Sequence, residues 1–177
     1  LLGWAFATAW LAGTFWWLFI SMHTYGGLAA PLAVLAVLGL AAFLGAYYAI
    51  VSWCFWPLAQ ANKALAAMVF AALWLLAELA RGQWWTGFPW GAGGYAHADG
   101  PLAALAPWVG VYGMGCVAAL LAMLLARRAW VALAAVAMLL AGVGLVRPAS
   151  TPAGTLSVAL LQGNIPQDEK FQPGTGV

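Results

Sequence analysis

KALAAMVFAALWLLAELAR, residues 63 to 81, is the stretch that decides the class of this chain. Lys63 and Arg81 bracket an apolar run in which Glu78 is the single other charge. At 1.5 Å per residue the two cations stand about 27 Å apart, close to the thickness of bilayer hydrocarbon. Their long side chains can carry the charged heads to opposite headgroup layers. Upstream, no Asp, Glu, Lys or Arg precedes Lys63, which leaves room for two further spans of ~20 residues each. Across the 177 residues 66% are hydrophobic and 6% charged, with mean hydropathy +0.95. A soluble domain carries about 25% charged residues, so a water-soluble fold could not hide this much apolar surface. The chain is expected to insert in a membrane.

Working outward, a first span is expected over 1–22, its last turn weighted with Trp16, Trp17 and Phe19 as at a headgroup layer. His23 to Gly27 form a short turn. A second span is expected over 28–55, with Pro31 tolerated in the first turn and Pro57 stopping the helix. After Arg81 the composition changes. Residues 82–100 hold Trp84, Trp85, Phe88 and Trp90 among glycines and Pro89. The glycines and proline oppose a regular helix, and the aromatics oppose an ordinary polar loop. Irregular backbone survives at membrane depth only where protein or a wet cavity shields it, so an interfacial or re-entrant loop is expected. Asp99-Gly100-Pro101 reads as a helix start. Further spans are expected over 107–126 and 129–146, separated by Arg127 and Arg128.

Lys63, Arg127 and Arg128 group on one side, Arg81 and Arg147 on the other. The positive-inside bias then places the Trp-rich loop and the C-terminal segment outside the cytoplasm. Residues 148–154 read as a linker, and 155–162 have the length and β-branched content of a strand. The domain expectation is a transmembrane helical domain over 1–147, a linker over 148–154, and the start of a second, soluble domain over 155–177. The chain begins within an apolar run and stops in Gly-Pro-rich sequence, so an internal segment of a longer protein is expected.

Few side chains could carry chemistry. Glu78 and Arg81 share a helix face at i, i+3. They could form a structural ion pair holding the loop to its helix, or a group that orients the loop or binds a headgroup. His23 and His97 have no ligand spacing, so no metal site is expected. Cys54 and Cys116 lie in apolar stretches and read as packing thiols. Within the loop, Thr86, Gly87, Phe88, Pro89 and Trp90 are candidates for contact with lipid, because an aromatic belt alone does not require so compact a turn among small residues. No nucleophile-base arrangement, phosphate loop or HExxH is present. The net charge of +2 comes from too few groups to suggest nucleic acid as a partner.

Together the motifs form a resemblance. Glu78-Leu79-Ala80-Arg81-Gly82, Thr86-Gly87-Phe88-Pro89-Trp90, Gly94-Tyr95, Asp99-Gly100-Pro101-Leu102, Leu105-Ala106-Pro107 and Gly110-Val111-Tyr112-Gly113 look like the apolipoprotein N-acyltransferase family. The run from Val158 to Gln167 resembles the first strand and loop of that family's nitrilase-like (CN hydrolase) domain. The resemblance implies an α-helical multi-span membrane domain, about five spans here, followed by the first strand of an α/β (αββα nitrilase-like) domain. It implies a multi-pass protein of the bacterial inner membrane with its C-terminal segment in the periplasm. The enzyme would take an acyl chain from a phospholipid, hold it as a cysteine thioester, and pass it to the diacylglyceryl-cysteine of an apolipoprotein. No cofactor is implied. The catalytic Glu-Lys-Cys triad would lie beyond Val177, neither Cys54 nor Cys116 matches its nucleophile, and this segment alone would be inactive. Where the family commonly has Lys-Trp, this chain has Lys170-Phe171. Phe171 keeps an aromatic face for lipid but loses the indole N–H donor. Two other readings stay open: a non-enzymatic multi-span protein such as a transporter subunit or anchor, and a nitrilase-like relative lacking the triad. Transporters usually place charges mid-membrane, whereas here they fall at span ends.

Overall fold

The computed structural model describes residues 1–60, 62–146 and 154–162. Helices α1 (Leu2–Thr14), α3 (Ala30–Phe55) and α4 (Lys63–Gln83) build the main core, and α5 (Ala106–Ala126) and α6 (Trp130–Leu145) pack beside it. Ala7 and Leu11 on α1 and Phe15 just after its end, four apart, are fully buried. They face a stripe on α3 made by Ala33, Val37, Ala41, Leu44, Tyr48 and Val51, spaced three or four apart. The small residues let the two backbones approach, which is how helices associate where lipid offers no hydrophobic drive. The outward faces are as apolar as the inward ones, with Leu35, Leu38, Phe43 and Ile50 exposed. A helix apolar all round belongs in a protein core or a membrane.

The expected continuous helix over 1–22 is broken. After α1 come α2 (Trp16–Ile20) and a π turn (Ser21–Tyr25), and the second segment bends from the first by 52°. Two local causes act together. The Thr14 hydroxyl donates to the Trp10 carbonyl at 2.9 Å, a back-bond of the kind that bends helices. Phe15 leaves helical geometry (φ −98°, ψ 12°) and drives its ring wholly into the core. Neither cause shows in hydropathy, which sees only an unbroken apolar run.

At the opposite end of the bundle the Asn62 side chain accepts from the Ala64 amide at 2.9 Å, capping α4. Arg127 donates to the Ala59 carbonyl at 2.6 Å. That bond brings the α3–α4 connection and the α5–α6 turn together, so Lys63, Arg127 and Arg128 share one end. Leu102, Leu105 and Met114 form a smaller core with Leu121, Leu140 and Val143 between α5 and α6. α5 is kinked at Gly110.

Against about five expected spans, three helices among the described residues are long and apolar enough to cross a membrane, or four if the bent first pair counts as one. The shortfall lies in α6, whose 16 residues reach about 24 Å at 1.5 Å per residue, less than the ~30 Å of hydrocarbon. Residues 154–162 carry no regular secondary structure and are exposed throughout. The expected strand over 155–162 is therefore not found. A strand needs a neighbour to pair with, and the described residues contain no other strand. Residues 148–153 of the expected linker and the remainder of the expected second domain, 163–177, lie outside the described residues.

Candidate functional site

The C-terminal turns of α4 carry two charges into the core. Glu78 is 1% exposed and Arg81 0%. Their carboxylate and guanidinium meet at 3.2 Å between Oε2 and Nη2. Glu78 also accepts from the Tyr48 hydroxyl on α3, and its Oε2 accepts from the Gly93 amide at 3.3 Å. Arg81 Nη1 donates to the Phe88 carbonyl at 2.6 Å and the Trp90 carbonyl at 2.8 Å. The Arg81 carbonyl in turn accepts from the Phe88 amide at 2.8 Å. Two i, i+3 side chains thus tie α3, α4 and both limbs of the Trp-rich loop together. Effective desolvation of each ion costs several kcal/mol, recovered only with good geometry and additional hydrogen bonds. Here those bonds go to loop backbone. A guanidinium this deeply buried does not face a headgroup, so the arrangement is a clamp.

The clamp explains how a loop rich in glycine keeps a shape. Phe88 lies edge-on to the buried Phe15 at 5.1 Å, and Trp90 lies 5.0 Å from Trp17 and 5.4 Å from Phe88. The loop therefore seats in the bend between α1 and α2. Trp85 (φ 55°, ψ 49°) and Thr86 (φ 74°) both hold left-handed backbone. Such residues cost of order 1–3 kcal/mol each and persist only where the surroundings over-determine them. Gly87 follows at φ 74°, and a Cβ there would stand 2.2 Å from the Gly82 carbonyl oxygen. At Gly94 a Cβ would stand 1.8 Å from the Val111 carbonyl oxygen, so the loop lies directly on α5.

Of the lipid-contact candidates, Thr86, Pro89 and Trp90 are exposed, while Gly87 and Phe88 are half-buried. Phe171 lies outside the described residues. His23 bonds the Leu28 carbonyl at 2.8 Å within its own turn. His97 lines a cavity of about 410 Å³ between α4 and α5 with Trp74 and Gly93. Cys116 donates to the Ala71 carbonyl at 3.4 Å, and Cys54 is half-buried. Among the described residues no group of His, Cys, Asp or Glu could hold a metal ion. Sequence reasoning missed Tyr48, the third member of the clamp. Its signal was a phenol in the middle of an apolar span, which needs a partner when buried. Around it, Trp10 and Trp74 complete an aromatic cluster, with ring centroids 5.5 and 4.8 Å from that of Tyr48.

A family model described as the apolipoprotein N-acyltransferase N-terminal domain matches residues 1–124. Among curated relatives, an apolipoprotein N-acyltransferase of Verminephrobacter eiseniae is 60% identical, the match covering 100% of this chain and 37% of the relative. One from Ralstonia nicotianae is 50% identical, covering 99% of the chain and 35% of the relative. One from Pseudomonas putida is 41% identical, covering 97% and 37%. The chain spans little more than a third of the length of these relatives. Since the matched residues make up most of the chain, it belongs to the apolipoprotein N-acyltransferase family, through that family's N-terminal domain.

Proposed function

We propose that the full-length protein carrying this chain transfers an acyl chain from a phospholipid to the α-amino group of an apolipoprotein's diacylglyceryl-cysteine. The observation that carries this reading is the match of nearly the whole chain to relatives of that name. A cysteine thiolate would attack the phospholipid ester carbonyl, releasing the lysophospholipid and leaving the acyl group as a thioester. The lipoprotein amine would then attack that thioester, forming the amide and returning the thiol. The oxyanion of each step needs a donor or cation beside it. The Glu-Lys-Cys triad for this chemistry belongs to a nitrilase-like part, which 155–177 would begin after the linker over 148–154.

This chain's part is to bring two diacyl substrates to that centre at the bilayer surface. The inner membrane would hold it by five crossings, α6 completing the fifth where the bilayer thins locally around it. The C-terminal segment and the Trp-rich loop would face the periplasm. The loop over 82–100 would form the floor of the lipid entrance, with Thr86, Gly87, Pro89 and Trp90 toward lipid and Phe88 buttressing them through Phe15. Phe171 would add apolar contact.

The test is acyl transfer by the full-length protein from labelled phospholipid to a diacylglyceryl-cysteine peptide, in the unaltered enzyme and in Phe88→Ala and Trp90→Ala. Transfer that is present, and depressed in both variants, is the expected result. Transfer and lipid affinity unchanged in both would remove the loop from the account.

A further inference from the structure

The clamp divides the Trp-rich loop into two halves of different character. Phe88 packs inward, and Trp90, itself exposed, lies against Trp17 and Phe88, with ring centroids at 5.0–5.4 Å from their aromatic neighbours. Trp84 and Trp85 stand on the other side, 62% and 80% exposed. Trp84 reaches Tyr47 at 6.4 Å and Trp85 reaches Phe43 edge-on at 6.3 Å, near the far limit of aromatic contact. Beneath them lie two cavities of about 200 and 210 Å³. The first lies between α3 and α4 and the second between α3 and the indoles of Trp84 and Trp85; they adjoin at Tyr47, Ile50 and Trp84 and together line a groove along α3.

We propose that this groove, roofed by Trp84 and Trp85, binds one acyl chain of a membrane phospholipid. Three observations converge on that occupant. Both walls belong to helices long and apolar enough to cross a membrane, so lipid is the medium that meets them. The lining holds Phe43, Ile50, Leu76 and Ala80 and no charged side chain, which selects hydrocarbon over a headgroup. At its mouth the two exposed indoles bring N–H donors to the loop end of α4, where ester and phosphate oxygens would lie and where tryptophan is enriched in membrane proteins.

The backbone supplies a reason for the roof to stay in place. Trp85 and Thr86 both sit in left-handed conformations that their side chains disfavour. The clamp fixes both flanks of this turn, at Arg81 and at Phe88. Held strain of this kind marks ligand clamps. That the bound chain belongs to the acyl donor rests on the acyltransferase reading; the groove itself does not.

The test uses full-length protein in vesicles of phosphatidylethanolamine and phosphatidylglycerol. The probe is a phosphatidylethanolamine with a photoreactive diazirine midway along one acyl chain. Adducts are expected at Tyr47, Cys54 and Leu73, which line the groove half-buried, several-fold above those at the outward-facing Leu35 and Met68. Trp84→Ala with Trp85→Ala should reduce that enrichment to the level of Leu35. Ala46→Phe, at an exposed groove position, should do the same by filling the space, and decides the matter should the double variant fail to fold. Labelling no higher than at Leu35 and Met68 overturns the proposal, as it would if another helix of the longer protein covers the groove. Enrichment that persists in folded Ala46→Phe overturns it as well. Acyl transfer in the same samples separates the two ideas. Transfer without groove labelling removes the groove alone, and groove labelling without transfer removes the acyltransferase reading alone.

Discussion

Replacing Arg81 by alanine removes the clamp at its centre, and the cost can be worked from the contacts. The guanidinium neutralises Glu78 at 3.2 Å and holds the Phe88 and Trp90 carbonyls at 2.6 and 2.8 Å. Its loss leaves a carboxylate that is 1% exposed without a cation. Breaking a buried pair this way costs about 3–5 kcal/mol, a large part of the 5–15 kcal/mol that holds a typical domain together. At the length of its relatives the full-length protein is nearly three times as long as this chain, and at about 2.1 cal/mol/K of unfolding entropy per residue each kcal/mol moves its melting midpoint by about 1 °C, so a fall of about 3–5 °C is expected. The damage should centre on the loop, with amide exchange rising at Phe88 and Gly93 before it rises in α3. Removing both charges, as Glu78→Met with Arg81→Met, separates the clamp from a mere ion pair. An isolated buried pair can be replaced by apolar residues at little cost. Here the double change still strands the Tyr48 hydroxyl and the two loop carbonyls, at about 1–3 kcal/mol for each group left unsatisfied. The loop should therefore stay released in the double variant. A full-length protein in which Arg81→Ala melts like the unaltered one, with loop exchange unchanged, would refute this reasoning. Full recovery in the double variant would refute the clamp and leave an ordinary ion pair.

Smaller changes probe the same region. Tyr48→Phe deletes one hydrogen bond to Glu78 without leaving a void, so a loss of about 1.5–3 kcal/mol in thermal or denaturant unfolding is expected, as for bonds to charged groups. Thr86→Gly relieves a left-handed backbone that a β-branched residue disfavours; stability should rise by up to about 1–3 kcal/mol, and a fall would show that Thr86 is not strained. Gly94→Ala would force a methyl against the Val111 carbonyl oxygen, 1.8 Å away, and should cost at least 1–3 kcal/mol. Gly13→Ala is its control: nothing lies within 4 Å of the new methyl, and an α1 alanine in place of glycine should be neutral or stabilising by up to ~1 kcal/mol in the same melts. Raising salt should leave loop exchange unchanged, because screening acts weakly on a pair excluded from water.

The membrane character and most helix limits were legible because they depend on local composition. The expected second, third and fourth spans differ by at most a few residues from α3, α4 and α5. The bend at Phe15 was not legible, since it arises from a Thr14 back-bond and from a pocket that Phe88, far along the chain, helps to form. The limits of α6 were legible as well, 129–146 against Trp130–Leu145; what the hydropathy of that run does not show is that its 16 helical residues fall short of the hydrocarbon thickness. A strand over 155–162 cannot be judged from its own residues, since pairing requires a partner elsewhere. For the site, the i, i+3 spacing gave the Glu78–Arg81 contact, but not that Arg81 spends its donors on Phe88 and Trp90. Those acceptors are backbone carbonyls, and a sequence does not say where carbonyls point. The same limit hid the division of the loop, because Trp84, Trp85, Phe88 and Trp90 look alike as a run of aromatics.

The most direct test of the account is to incubate the full-length protein with phospholipid labelled in its acyl chain and no lipoprotein acceptor. Label is expected to bind covalently to the protein, to be released by hydroxylamine at neutral pH as a thioester is, and to be chased onto a diacylglyceryl-cysteine peptide when one is added. Phospholipid that binds without ever yielding a hydroxylamine-sensitive adduct, in protein shown to be folded, would contradict it.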